Sequence, residues 1–427
     1  MHYFSLLIVV LTVFSCRSTA SKHSGAGLLA VSSSTVKFQK PDCIPNCTAE
    51  DQAKLMASSE IERAYILAIQ SAKTSVEFSQ FTFSRKPIFD ALVAAAERGV
   101  RIRGIVDRAQ LKTTGAFCSA TGCQLPSPFS DAPYVSAPIA VRLNTIQNEV
   151  VFKNGTMSDK LVLLLSSLPS GSGVKSAPGK ERLVHNKFAI IDKTHLLTGS
   201  GNWSSTAISV NLENLTQFSA PAAGDIVQSL SCMFDLVWTG DSNAISQNLP
   251  TCQIIDKIYF SPSSRLGSGP QDAIIVAIDK SMSTIEIAMH HLVDPDVVQR
   301  LIAARQRGIK VRVAVDDDDC NMKDDILSKL EGAGAEVKYV PTNCKIFQLS
   351  HNKYGVFDRK TVINGSGNWS KSGLGRNYEN FIRGADFAPD FSDHFDWLWS
   401  IGVPKSSCQC DTSTQACIQS YCLNQQF

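Results

Sequence analysis

Along most of the chain, apolar and polar positions switch between helical and extended periods. Glu60 to Lys73 carries apolar residues at helical spacing, and Ser75-Val-Glu-Phe-Ser follows as a short β-rich run. A second amphipathic stretch, Ile88 to Arg98, ends at Gly99, the residue type expected just past a helix C-terminus. Val100 to Asp107 then reads as a strand. The same order returns later: helix Asp272 to Ser281, strand Thr284-Ile-Glu-Ile-Ala, helix Pro295 to Arg307 ending at Gly308, and strand Ile309 to Asp316. Ile285 lies 209 residues after Val76, as Gly308 does after Gly99 and Asp316 after Asp107. This constant spacing marks an internal repeat. Each copy closes on an aromatic helical pattern, Phe234-Asp-Leu-Val-Trp238 or Phe395-Asp-Trp-Leu-Trp399. Strands alternating with helices predict two α/β units with mixed or mostly parallel sheets.

Each copy contains one long motif. The first reads HNKFAIIDKTHLLTGSGNWSSTAISVNLEN from His185 to Asn214, and the second reads HNKYGVFDRKTVINGSGNWSKSGLGRNYEN from His351 to Asn380. The two histidines are 166 residues apart, so the first copy holds about 43 additional residues upstream of its motif. The stretch from Cys118 to Lys180 accounts for them. With Pro126-Ser-Pro128 and Ser170-Gly-Ser-Gly, it is expected to be mostly loop and to overhang the cleft. On a strand, residues two apart share a face, so His185 with Lys187, and His351 with Lys353, are predicted to point together into a cleft while Asn186 turns away. The small residues before Asn202 and Asn368 let backbone N–H groups approach an anion. Lys, Asn and Ser side chains add donors for phosphate oxygens.

Two such units facing each other suit phosphodiester cleavage. One histidine attacks phosphorus and the other protonates the leaving oxygen, then activates water. An unperturbed imidazole, with a pKa of about 6.5, serves both roles near neutrality. Glu213 and Glu379 each lie 28 residues after their copy's histidine and are candidates to accept from a ring N–H and fix its tautomer. Lys187, Lys353, Asn202 and Asn368 would stabilise the transferring phosphoryl group. No metal or cofactor is required. Asp192, Asp358, Ser204 and Ser370 recur at matching positions and read as structural. Trp203 and Trp369 read as packing, and Asp316 to Asp319 as a solvated strand-end loop rather than a cation site. His290 and His291 follow a strand whose end faces the cleft, which makes them substrate-lining candidates.

These residues closely resemble the phospholipase D superfamily, whose mark is His-x-Lys followed by Asp five residues after the Lys, present twice per active site. The resemblance covers roughly residues 55–402. It implies two pseudo-symmetric phospholipase D-like α/β/α sandwich units packed face to face. It further implies His185 as nucleophile and His351 as general acid, through a phosphohistidine intermediate. The Gly-Ser-x-Asn-Trp-Ser and Asn-x-Glu-Asn details, with Tyr259-Phe-Ser-Pro262, look most like the compact branch that includes bacterial endonucleases and mitochondrial cardiolipin hydrolases. Members of that branch often bear one motif and dimerise. Two motifs in this chain imply a monomer.

The chain ends frame this core. Phe4 to Phe14 is an apolar run too short to span a membrane and suits a signal h-region. Val13-Phe14-Ser15-Cys16 fits a lipobox with Cys16 lipidated, whereas Ser18-Thr19-Ala20 fits ordinary cleavage. The expected layout is a signal over 1–20, a flexible tether over 21–50, units at 51–245 and 253–403, and a small Cys-rich tail over 404–427. Apart from Cys16, the 13 cysteines leave an even dozen, as a disulfide framework in an oxidising compartment requires. Cys43 with Cys47, Cys118 with Cys123, Cys232 with Cys252 and Cys320 with Cys344 are candidate pairs. A secreted or periplasmic protein, or an outer-membrane lipoprotein, follows. The formal net charge of +2 is low for a nucleic-acid protein. Membrane phospholipid is therefore the expected substrate and nucleic acid the alternative, with Lys175–Arg182 or Lys371–Arg376 as its basic groove.

Overall fold

The two copies of the repeat fold into two seven-stranded sheets with one strand order. The computed structural model describes residues 34–83, 85–107, 172–175, 177–179, 182–262, 269–321, 326–343, 346 and 348–407. The first sheet contains β1 (Ser34–Phe38), β2 (Ser75–Gln80), β3 (Arg101–Val106), β4 (Gly173–Lys175), β5 (Lys187–Ile191), β6 (His195–Gly199) and β7 (Asn214–Ser219). Its order is β1-β7-β6-β5-β2-β3-β4. The second contains β8 (Ile258–Ser261), β9 (Thr284–Met289), β10 (Lys310–Asp316), β11 (Glu336–Val340), β12 (Lys353–Phe357), β13 (Thr361–Gly365) and β14 (Glu379–Gly384). Read from β8, its order is the same: β8-β14-β13-β12-β9-β10-β11. β2 and β3, like β9 and β10, pair in parallel through helical crossovers, and the motif hairpins pair antiparallel.

Helices cover both faces of each sheet. In chain order they are α1 (Ala49–Ala57), α2 (Glu60–Ser71), α3 (Lys86–Glu97), α4 (Gly224–Thr239), α5 (Ser242–Asn248), α6 (Pro270–Lys280), α7 (Pro295–Gln306), α8 (Ile326–Gly332), α9 (Lys371–Gly375) and α10 (Ala388–Ile401). Tyr65, Ile69, Ile88 and Leu92 of α2 and α3 pack on Val76, Ile102 and Trp203. Ile274, Val297 and Leu301 of α6 and α7 pack on Ile287, Val313 and Trp369. The opposite faces share one cluster with α4 and α10, including Phe188, Phe234, Tyr354, Val356, Phe391 and Leu398. Each such side chain contributes roughly 1.5–3 kcal/mol when fully buried. The shared layer is why the two repeats form one compact unit rather than two beads.

The repeat also buries charge symmetrically. Glu77 in β2 and Glu286 in β9 are almost inaccessible. Glu77 pairs with Arg103, which also reaches Asp235; Glu286 pairs with Arg312, which also reaches Asp396. Each arginine lies over the aromatic pair of the closing helix: Phe234 and Trp238, or Phe395 and Trp399. The buried carboxylate is thus balanced and the closing helix is fixed to its sheet.

Two expectations need correction. Residues 34–50 are not all tether: β1 pairs antiparallel with β7, and Cys43 is bonded to Cys47. Phe38 lies opposite Asn214 as Phe260 lies opposite Asn380, so β1 and β8 are equivalent repeat elements. Within the insertion, β4 pairs in parallel with β3 and takes the place of β11 in the other sheet. The acidic run is not solvated: Asp316, Asp317 and Asp319 are buried. Cys232 pairs with Cys252 as expected, and Cys320 is also disulfide-bonded. The signal, Cys16, Cys118, Cys123, Cys344 and the tail from Cys408 lie outside the described residues. No helix among the described residues is long and apolar enough to cross a membrane.

Candidate active site

The motif hairpins are held by their aspartates. Asp192-Lys193 and Asp358-Arg359 form two-residue turns with positive φ at all four residues, the backbone that matches the twist of paired strands. The Asp192 carboxylate accepts the N–H groups of Lys73, Thr74 and Ser75. Asp358 accepts those of Met282, Ser283 and Thr284. These aspartates therefore tie each hairpin to the loop before the neighbouring strand. Gly199 and Gly365 let adjacent strands close up: a Cβ there would lie 2.1 and 2.3 Å from the carbonyl oxygens of Asn214 and Asn380.

His185 and His351 each sit just before their strand, which begins at the lysine. Strand alternation alone therefore does not place the histidine, which is fixed by the other repeat. His185 N–H donates to the Tyr378 carbonyl, and His351 N–H to that of Leu212, at 3.0 Å each. The side chains cross in the same way. His185 Nδ1 lies 2.7 Å from Glu379 Oε1, and His351 Nδ1 lies 2.8 Å from Glu213 Oε1. Each histidine is thus oriented by the glutamate of the opposite copy. Both glutamates are buried, and each accepts a serine hydroxyl at 2.6 Å: Ser200 to Glu213 and Ser366 to Glu379. Asn211 and Asn377 add side-chain N–H donors to the same carboxylates. Lys187 and Lys353 are fully buried, and each donates to the carbonyl of its own histidine at 2.6 Å.

Burial sets the proton affinities. It lowers His185 to about 4, with Glu379 pulling it up and Lys187 pushing it down. It lowers His351 well below the usual imidazole range, with Lys353 and Lys187 acting in the same sense. Lys187 falls to about 8 for the same reason, although Glu379 and Glu213 oppose the shift. Lys353 also falls. Burial raises Glu213 to about 7 against the pull of Lys353. Burial would raise Glu379 too, but His185 and Lys187 outweigh it and the net shift is downward. The expected unperturbed imidazole is therefore absent: both rings are held neutral near pH 7, and two buried lysines of lowered proton affinity face one firmly ionised carboxylate.

Asn202 and Asn368 have buried Oδ1 atoms with no partner among the described residues. Ser204 and Ser370 accept the N–H groups of Ala207 and Gly373 and cap local turns. Trp203 and Trp369 are core residues. Asn352, the residue between His and Lys, turns to the interface between the copies, where Oδ1 accepts from Asn214 at 2.9 Å. Sequence reasoning missed Ser200, Ser366, Asn211 and Asn377, although all recur in the paired motifs. It also missed Phe81, whose ring lies 4.9 Å from that of His185. His290 does lie at the site, with its ring 4.9 Å from His351. His291 stacks on it at 3.7 Å and is held by Asp319 at 2.8 Å. Asp107 and Asp316 accept the backbone N–H groups of Val184 and Ser350, which precede the two histidines. Among the described residues, the group able to offer a cation its ligand atoms is His290, Asp316 and Asp318, with those atoms within 4.8 Å of one another.

The model of the cardiolipin synthase PLD-like domain matches residues 65–238 and 274–399, more than half of the chain. The chain belongs to the phospholipase D-like family. It is 25% identical over 120 residues to a mitochondrial cardiolipin hydrolase of Chlamydomonas reinhardtii, covering 28% of this chain and 52% of that protein. It is 33% identical over 137 residues to a phospholipase D of Rickettsia prowazekii, covering 32% and 58%. The chain spans about half the length of the curated relatives it matches. The fold matches phosphatidylserine synthase of Haemophilus influenzae with a TM-score of 0.57 at 10% identity, over 86% of this chain and 91% of that one. In this phospholipase D-like chain both active-site halves occur in one polypeptide, and the crossed His–Glu pairs require them together.

Proposed function

We propose that this chain hydrolyses membrane phospholipids as a phospholipase D, releasing phosphatidic acid and the headgroup alcohol. The carrying observation is the pair of crossed His–Glu dyads around two fully buried lysines. Glu379 holds the proton on His185 Nδ1, so the lone pair is on Nε2. In the first step Nε2 attacks phosphorus, the P–O bond to the alcohol breaks, and His351 gives its Nε2 proton to the departing oxygen while its Nδ1 takes one from Glu213. In the second, His351 Nε2 takes a proton from water, whose oxygen attacks phosphorus and breaks the N–P bond, and Nδ1 returns its proton to Glu213. Lys187 and Lys353 balance the phosphoryl charge throughout.

The asymmetry of the dyads supports this order. Glu379 is ionised and favours a proton on Nδ1 of a neutral nucleophile, whereas Glu213, raised to about 7, keeps a proton within the His351 dyad. The relatives named phospholipase D and cardiolipin hydrolase support a lipid substrate. The Cys43–Cys47 and Cys232–Cys252 disulfides support a secreted or periplasmic setting, and the crossed dyads within one chain support a monomer. The test is release of phosphatidic acid from phosphatidylcholine and cardiolipin vesicles in EDTA, with single- and double-stranded DNA in parallel. Activity is expected on lipid and is expected to vanish in His185→Ala and His351→Ala. DNA cleavage without lipid cleavage, or loss of activity in EDTA, would overturn the reading.

A further inference from the structure

Superposing the repeats by their 209-residue spacing places Phe81 on His290 and Thr82 on His291. These positions break the symmetry of an otherwise matched site. Phe81 and His290 hold the same post, each with its ring 4.9 Å from the catalytic imidazole of its half. On the His185 side the flank is apolar, and the Phe81 ring also lies 5.6 Å from Lys187 Nζ. On the His351 side the flank is polar and built: the His290 backbone N–H donates to the Asn352 carbonyl at 2.9 Å, His291 stacks against the His290 ring, and Asp319 anchors His291. The Nδ1 atom of His290 is shielded from solvent and has no hydrogen-bond partner. The charged and titratable groups around it are His291, His351, Lys353, His185, Asp316 and Asp318, and burial keeps the ring neutral. A neutral imidazole offers one donor and one acceptor, which matches a hydroxyl group.

We infer that His290 is the specificity-determining residue for the leaving alcohol, and that the pocket it forms with His291 takes a hydroxyl-bearing group rather than an apolar one. The inference rests on the proposed roles of His185 and His351. In an in-line displacement the leaving oxygen departs opposite the nucleophile. It therefore leaves beside His351, where His290 stands, and not beside Phe81. A site that hydrogen-bonds a substrate hydroxyl rejects a partner lacking it, because its own polar atoms are left unpaired.

The test uses the full chain and two lipids with the same phosphatidyl group: phosphatidylglycerol and phosphatidyl-p-nitrophenol. The quantity read is the ratio of their kcat/KM values, which a general loss of fold or activity does not change. His290→Phe, which installs the residue native to the equivalent post, is expected to lower the glycerol-to-nitrophenol ratio about tenfold or more. His290→Gln, which retains a donor and an acceptor, is expected to restore the ratio to within about threefold of wild type. Phe81→His is expected to leave it within the same range. Equal loss on both lipids in His290→Phe would make the residue merely structural and overturn the inference. So would a ratio change in Phe81→His alone, which would reverse the leaving-group side. A wild-type ratio that responds to EDTA or added Zn²⁺ would assign His290 to a cation site with Asp316 and Asp318, and would overturn it as well. If the wild type cleaves neither lipid, the proposed function fails and takes this inference with it; cleavage of both with an unchanged ratio in His290→Phe defeats this inference alone.

Discussion

Glu379→Gln isolates the crossing of the two repeats. The carboxylate lies 2.7 Å from His185 Nδ1, is inaccessible to solvent and carries the ionised form. Glutamine keeps the shape but removes the charge. A hydrogen bond to a charged group contributes about 1.5–3 kcal/mol, or roughly 10–150-fold in rate at 1.4 kcal/mol per decade. Glutamine can also present its NH₂ to Nδ1, which would move the ring proton to Nε2 and remove the attacking lone pair. In serine hydrolases the corresponding change costs about 10⁴-fold. The expected loss in kcat therefore lies between about 10² and 10⁴. Its location matters more than its size. Nitrogen-detected NMR of the imidazoles should show the tautomer of His185 disturbed by Glu379→Gln and that of His351 by Glu213→Gln. Rapid quench should show slow phosphoenzyme formation in Glu379→Gln. If Glu213→Gln disturbs His185 instead, the crossed pairing is wrong, and the mechanism built on it fails.

Three further outcomes follow from the same geometry. The pH profile of kcat/KM should rise near pH 4 as His185 loses its proton and fall between about 7 and 8, where Glu213 and Lys187 titrate; an acid limb near 6.5 would mean the nucleophile is not desolvated. Folding stability should fall as pH drops from about 6.5 towards 4, because the unfolded chain binds a proton on this histidine that the native state refuses; urea midpoints across that window check the sign. Asp358→Ala removes the acceptor for three backbone N–H groups and should cost about 1–3 kcal/mol in urea unfolding, whereas Asp192→Asn should retain its positive-φ turn; equal loss in both would show that the carboxylate is not the anchor.

Much of this protein was legible before folding. The repeat, the α/β class, the Gly99 and Gly308 helix ends, and the recurrence of His, Lys, Glu and Asp all follow from periodicity and spacing, because strands and helices impose local periods of two and 3.6. The structural role of Asp192 and Asp358 was legible for a related reason: five residues past the lysine, each falls at the far end of a five-residue strand. The edge strand β1 was not, since its short Ser34–Phe38 run matches Ile258–Ser261 only through its pairing with β7.

Other features depend on which residues meet across the fold. Spacing gave Glu213 and Glu379 a common offset but could not say which histidine each would serve. The interface between the copies decided that, by passing His185 to the Tyr378 carbonyl and His351 to that of Leu212. The acidic run reads as solvated because charge favours water. The structure buries it because Asp316 is needed to hold Ser350 ahead of His351, and Asp319 to hold His291. Proton affinity is likewise a property of the assembled site: an imidazole near pKa 6.5 in the free chain is driven down only when both copies close over it. The sequence determined the reacting groups. Tertiary structure decided their partners, their charge states and the one polar flank that makes two equal halves unequal, because those depend on contacts between residues far apart in the sequence.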